Sequence, residues 1–167
     1  MTVPAAFDPL RLLEALVAHD VEFIVIGQIA AVLQGHPETT VDLDILPRHA
    51  LVNAERLADA LRSLRATHVT SAEDAEPIAA DDQDFIGWRE VRSFDTDAGR
   101  IDVIPVAAGI GTFDDNHADA IATDLDGFVV LTAPLDAIIA SKEAAGRPKD
   151  LRRLPSLREF RDRLRQE

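Results

Sequence analysis

The 167-residue chain contains no cysteine. That absence excludes disulfide staples and thiolate metal sites, and it is compatible with a reducing compartment. No apolar run approaches the roughly 20 residues needed to span a bilayer, and no basic stretch followed by an apolar core marks the first residues. The expectation from these absences is a cytoplasmic protein without a membrane partner. Basic residues are also scarce, with 17 Lys and Arg against 30 Asp and Glu and a net charge of −13. A protein that coats nucleic acid indiscriminately must neutralise many phosphates, so that class is excluded. The chain has no Gly-x-Ser-x-Gly and no P-loop, which removes the common hydrolase and NTPase alternatives. His19, His36, His49, His68 and His117 fall at no zinc-ligand spacing. There is no internal repeat and no low-complexity linker.

What is present is one domain's worth of sequence, long enough to bury roughly two-thirds of the surface of the unfolded chain. Charge is unevenly placed along it. From Lys142 onward nine Lys or Arg accompany five Asp or Glu, whereas residues 1–141 hold eight and twenty-five. The C-terminal segment is therefore the basic surface available for phosphate contact.

Local signals divide the chain. Asp8-Pro9 opens a helix to about His19, with Leu10, Leu13, Leu16 and Val17 as its apolar stripe. Glu22 to Ile26 reads as a buried strand, and Gly27 turns it into a short helix of about Gln28 to Leu33. A return turn through Gly35, Pro37, Thr39 and Thr40 leads to a strand Val41 to Leu46. Helical spacing of Leu51, Ala54, Leu57, Ala58, Leu61 and Leu64 predicts a helix of about Ala50 to Leu64. Ser71 to Asp84 contains six acids and no basic residue, the composition of a solvated loop. Trp88 to Phe94 and Arg100 to Val106 read as strands joined across Asp95 to Gly99. Residues 107–119 read as loop and Phe128 to Leu131 as an edge strand. Thr132 caps a helix from Pro134 to about Ala145, ended by Gly146 and Pro148, and Ser156 to Glu159 forms a capping box for a last helix.

The chemistry gathers on the strand Val-Asp-Leu-Asp-Ile. Side chains alternate along a strand, so Val41, Leu43 and Ile45 point into the core while Asp42 and Asp44 look out together. Two adjacent carboxylates repel unless a cation joins them, and Mg2+, or Mn2+, suits hard oxygen ligands. Asp102, in Arg-Ile-Asp-Val-Ile-Pro, opposes Ile101 and Val103 and would complete a three-carboxylate cluster if its strand lay beside the first. Taken alone, such a residue is more often a solvated strand-end acid. Such clusters hold two metal ions that activate an attacking oxygen and steady a leaving phosphate. Gly27 lets the backbone come close to a ligand, with the helix start favouring an anion, or it serves a simple tight turn. Lys142 lies at i+7 from Leu135 on the face of Ile138 and Ile139, directed toward a cleft or snorkelling to solvent. Arg147, Lys149, Arg152 and Arg153 follow, able to receive an RNA backbone or merely to solvate the surface.

Gly27-Gln28, a short helix and Asp42-x-Asp44 on the next strand together resemble the minimal nucleotidyltransferase signature of the DNA polymerase β superfamily. The segment from Leu135 through Lys142 to Lys149-Asp150-Leu151 resembles the Lys and Asp motifs of its AbiEii and MenT branch, toxins of type IV toxin-antitoxin systems. Agreement in order and spacing covers about residues 10–155. This resemblance implies an α/β fold, a small nucleotidyltransferase-like mixed sheet flanked by helices. It also implies one domain over residues 1–167 whose segment 134–167 completes the site. The implied activity is transfer of a nucleoside monophosphate from an NTP. Asp42, Asp44 and Asp102 would act as catalytic metal ligands, with Asp102 also a candidate general base. Lys142 and Asp150 would be catalytic, and Gly27, Gln28, Lys142 and Lys149 would bind nucleotide. In related toxins the acceptor is the 3′ end of tRNA, and a cognate antitoxin is the implied partner. Two features depart from the pattern: Gln28 replaces the usual Ser or Gly, and Arg153 stands near the place of a second acid. The alternatives are a catalytically degenerate binding or regulatory protein of the same fold and, more weakly, a phosphodiesterase or nuclease using the same carboxylates.

Overall fold

The computed structural model describes residues 5–71, 74–77 and 90–167. Asp8 accepts the Arg11 backbone N–H at 3.1 Å, and Pro9 pre-sets the first turn of α1 (Pro9–Ala18). Its buried residues are Leu12, Leu13 and Leu16, whereas Leu10 is exposed, so the core stripe lies slightly off the predicted one. The strand β1 (Phe23–Ile26) is buried at every position. It passes at Gly27 directly into α2 (Gly27–Leu33), and the chain returns as β2 (Asp42–Pro47). In α3 (Leu51–Ser63) the expected Ala54, Leu57, Ala58 and Leu61 are buried, with Leu64 just beyond, while Leu51 faces solvent.

The next strands are β3 (Thr67–Ser71) and β4 (Asp74–Pro77), an antiparallel pair. Acidic composition had marked Ser71 to Asp84 as loop. In the described part, backbone pairing overrides that composition; residues 72–73 and 78–84 lie outside it. The expected strand Trp88 to Phe94 also falls partly outside, and β5 (Arg92–Thr96) begins later and runs further. A tight turn joins it to β6 (Gly99–Val103). There the Thr96 hydroxyl accepts from the Ala98 N–H at 3.0 Å and donates to the Gly99 carbonyl at 2.7 Å.

Residues 107–119 are not all loop. They include α4 (Phe113–Asn116), set by a capping box between Thr112 and Asp115, and a 3-10 turn His117–Asp119. Four residues are too few to show periodicity. Next come β7 (Ile121–Asp124) and β8 (Val129–Thr132). The latter is not an edge strand, because it pairs parallel with β1 on one side and antiparallel with β7 on the other. Thr132 does not cap the helix after it; its hydroxyl meets that of Thr123 at 3.0 Å, and Pro134 precedes α5 (Leu135–Ala145). Gly146 ends that helix in the left-handed conformation, as its position predicts.

The predicted capping box at Ser156 does not form. The last helix, α6 (Pro148–Gln166), runs unbroken through Pro155, held by buried Leu154 and Leu157, and the Ser156 hydroxyl instead meets the His36 ring at 2.9 Å. The fold is mixed α/β. The described strands form one sheet in the order β4-β3-β5-β6-β2-β1-β8-β7, larger than the small sheet expected. Helices α1 and α3 pack together, as do α2, α5 and α6. One contiguous cluster of buried side chains forms the core.

Candidate active site

The site begins with strand register. Leu43 and Ile45 are fully buried, so alternation turns Asp42 and Asp44 to the other face. Val41, expected inside with them, is 76% exposed, because the strand begins only at Asp42. Parallel pairing of β2 with β6 puts Asp44 opposite Asp102 and Asp42 opposite Arg100. Oxygens of Asp42, Asp44 and Asp102 all lie within 4.8 Å of one another. The three predicted carboxylates are thus brought together.

Their electrostatics are unfavourable as they stand. Burial, then the charges of Asp42 and Asp102 and a proton shared with Asp102, push the Asp44 carboxyl up to about 8, while Lys142 opposes. Asp102 Oδ1 is buried without a hydrogen-bond partner. Thr40 donates its hydroxyl to Asp42 Oδ1 at 3.1 Å and fixes that side chain. An orphaned oxygen beside two further carboxylates fits a hard cation, so the donor set suits Mg2+ or Mn2+. Gly27 fits the tight-turn reading of its position. Its φ is +68°, and a Cβ there would run into Asp44 Oδ2.

A cavity of about 510 Å³ opens over these acids, and it includes Gly27, Gln28, Lys142, Lys149, Asp150 and Arg153 in its wall. Lys142 projects from α5, its Nζ 3.8 Å from Asp150 Oδ1. Burial holds its ammonium below the ordinary range; Asp150 counters this and Arg153 adds to it. Asp150 is only 3% exposed and receives Arg147 Nε at 2.6 Å and Nη2 at 3.3 Å. Burial alone would raise its carboxyl, but Arg147, with Lys142 and Lys149, holds it below the usual range. Asp150 therefore orders the cations of this wall, and Lys149 sits exposed at the rim.

Gln28 is buried, and its amide nitrogen is committed elsewhere, while Oε1 has no partner among the described residues. Nε2 donates to the Glu38 carbonyl at 2.7 Å and to His36 Nδ1 at 2.9 Å. His36 is therefore the Nε2–H tautomer, donating to Ser156 Oγ at 2.9 Å. Burial, the largest influence, lowers the His36 pKa and keeps the ring neutral. Sequence reasoning misses this hydrogen-bonded series, because the partners of His36 lie 8 and 120 residues away and no local pattern links them. The remaining basic residues of α6 are partly neutralised by the protein's own acids: Arg158 meets Glu143 at 2.6 Å, and Arg161 and Arg165 meet Asp136 at 3.3 and 2.7 Å.

No protein-family model matches this chain, and no curated protein matches its sequence. Among the described residues no helix is long and apolar enough to cross a membrane.

Proposed function

We propose that this chain is a metal-dependent nucleotidyltransferase with a nucleotidyltransferase-like fold, moving a nucleoside monophosphate from an NTP to an acceptor hydroxyl as the bond from the α-phosphorus to the β-phosphate oxygen breaks and pyrophosphate leaves. The observation that carries the reading is the division of one cavity. Three mutually repelling carboxylates stand on β2 and β6, and Lys142 faces them from α5 with Arg147 and Arg153 behind. Asp42, Asp44 and Asp102 would hold Mg2+ or Mn2+. Once bound, the metal would supply charge neutralisation and Lewis-acid polarisation of the phosphate.

The protein's own residues divide the remaining work. Lys142, desolvated and only loosely paired with Asp150, binds the triphosphate and orients it along the cationic wall. Asp102 stands on β6, next to β2 and on its side away from β1. It accepts the proton of the incoming hydroxyl, or orients that hydroxyl through its free Oδ1. Arg147 and Asp150 hold the wall in place without touching the reacting atoms. The 3′ end of tRNA is the proposed acceptor, and a toxin with a cognate antitoxin is the proposed setting.

Gln28 favours a second reading, a binding or regulatory protein of the same fold, because its donors are turned away from the cavity. One experiment separates the two. Purified protein with Mg2+ or Mn2+ and labelled NTPs should label RNA, and Asp44→Asn should reduce labelling at least about a thousandfold. Equal labelling by that variant would remove the assignment. NTP binding without transfer to any acceptor would favour the second reading.

A further inference from the structure

The cations of the cavity wall are not equivalent. Two Arg147 donors are held by Asp150, Lys149 is exposed at the rim, and Lys142 shares Asp150 at a loose 3.8 Å. Arg153, one turn beyond Asp150 on α6, differs from all of them. Its Nη2 donates to the Thr39 carbonyl at 3.3 Å, while Nη1 is shut off from solvent with no partner among the described residues. A buried, charged donor left unmatched costs about 1–3 kcal/mol or more, and proteins seldom retain one where nothing binds. Thr39 belongs to the return segment that also supplies the Glu38 carbonyl to Gln28, so Arg153 closes over the turn where Gln28 offers no donor.

The rest of the cavity limits what Arg153 can meet. The carboxylate face repels any anion not bridged by a metal, so the anionic tail of a ligand must run toward Lys142 and Arg153. Arg153 lines this cavity with its guanidinium tethered at Nη2 to the Thr39 carbonyl, and a planar cation with several N–H donors held there suits a terminal phosphate with several free oxygens. We propose that Arg153 recognises the terminal phosphate of the nucleoside triphosphate and makes the site select triphosphates over diphosphates. The inference rests on the nucleotidyltransferase reading and adds its phosphate specificity.

The test is calorimetric titration of the full chain, with Mg2+ and no acceptor, by each of the four NTPs and the matching NDPs. For the tightest base, wild type should bind the triphosphate at least about tenfold better than the diphosphate, a difference of one charge-assisted contact. In Arg153→Gln that ratio should fall below about threefold, because triphosphate affinity falls more than diphosphate affinity. If that variant does not fold, Arg153→Lys, which keeps the charge and loses the fork, must still show a reduced ratio. Equal NTP and NDP affinity in wild type, or a ratio that survives both substitutions, overturns the role of Arg153 while nucleotide binding stands. Absence of metal-dependent NTP binding in wild type overturns the nucleotidyltransferase reading and the inference with it.

Discussion

The two walls of the cavity are built on opposite principles. The acidic wall comes from strand register: Asp42 and Asp44 share a face by alternation, and pairing with β6 adds Asp102 opposite Asp44. It concentrates one sign of charge and leaves Asp102 Oδ1 without a partner. The basic wall comes from helix geometry, with Arg147 three residues before Asp150 on adjoining turns and Lys142 reaching in from α5. It carries its own counter-ion. One wall therefore brings a counter-ion for Arg147 and Lys142, leaving Arg153 Nη1 unmatched, and the other is strained until a cation arrives. Breaking either should have opposite consequences for stability.

The largest effect on folding is expected at the self-compensated wall. Asp150→Ala leaves the largely buried Lys142 without its acid, while Arg147, 60% exposed, is recovered by solvent, and should cost about 3 kcal/mol in chemical denaturation. A change below about 1 kcal/mol would mean that water replaces the pairing. Gly27→Ala combines a left-handed φ with a Cβ driven into Asp44, and should cost about 2–3 kcal/mol and weaken Mg2+ binding seen by calorimetry.

At the acidic wall the sign reverses. The Asp44 carboxyl rises from 3.8 to about 8 on folding, so between those values the folded protein holds more protons than the unfolded chain. Without metal, stability should be greatest near pH 4 as far as this group is concerned, decline as pH rises toward 8, and level off above it. Mg2+ should flatten that decline, and its affinity should weaken as protons compete below pH 8. Asp102→Asn removes one repelling charge and should stabilise the metal-free protein at pH 8 by about 1–2 kcal/mol while abolishing the gain from Mg2+. The smallest effect is expected at the attachment of α6 to the turn after α2. Ser156→Ala removes the acceptor for His36 Nε2–H and should cost about 1 kcal/mol in thermal or urea melts.

Much of the site was legible in the sequence because its logic is local. The Asp42 and Asp44 pairing, the Gly27 turn and the position of Lys142 on the Ile138 and Ile139 face each depend on a few neighbouring residues. The errors share a different cause. The acids of 71–84 suggested solvation, yet Asp74–Pro77 pairs with β3; Thr132 and Ser156 looked like caps, yet both hydroxyls found partners remote in sequence or across a strand pair. Ser, Thr and acidic side chains satisfy whichever group packing brings near, and local pattern cannot rank those offers. Arg153 shows the same limit, since neither its bond to Thr39 nor its unmatched Nη1 can be inferred from spacing.

Sequence alone determined that Asp42 and Asp44 share a face, because the strand period is a property of the backbone, although it misplaced Leu10, Val41 and Leu51. It also determined where α1 starts and where α5 stops, because a cap acts within one turn. Tertiary structure decided that β6 lies beside β2 in the register joining Asp44 to Asp102, that α6 passes through Pro155, and that Gln28 turns its amide toward Glu38 and His36. Those outcomes depend on how distant segments bury one another, and burial leaves each polar group only the partners that packing places within reach.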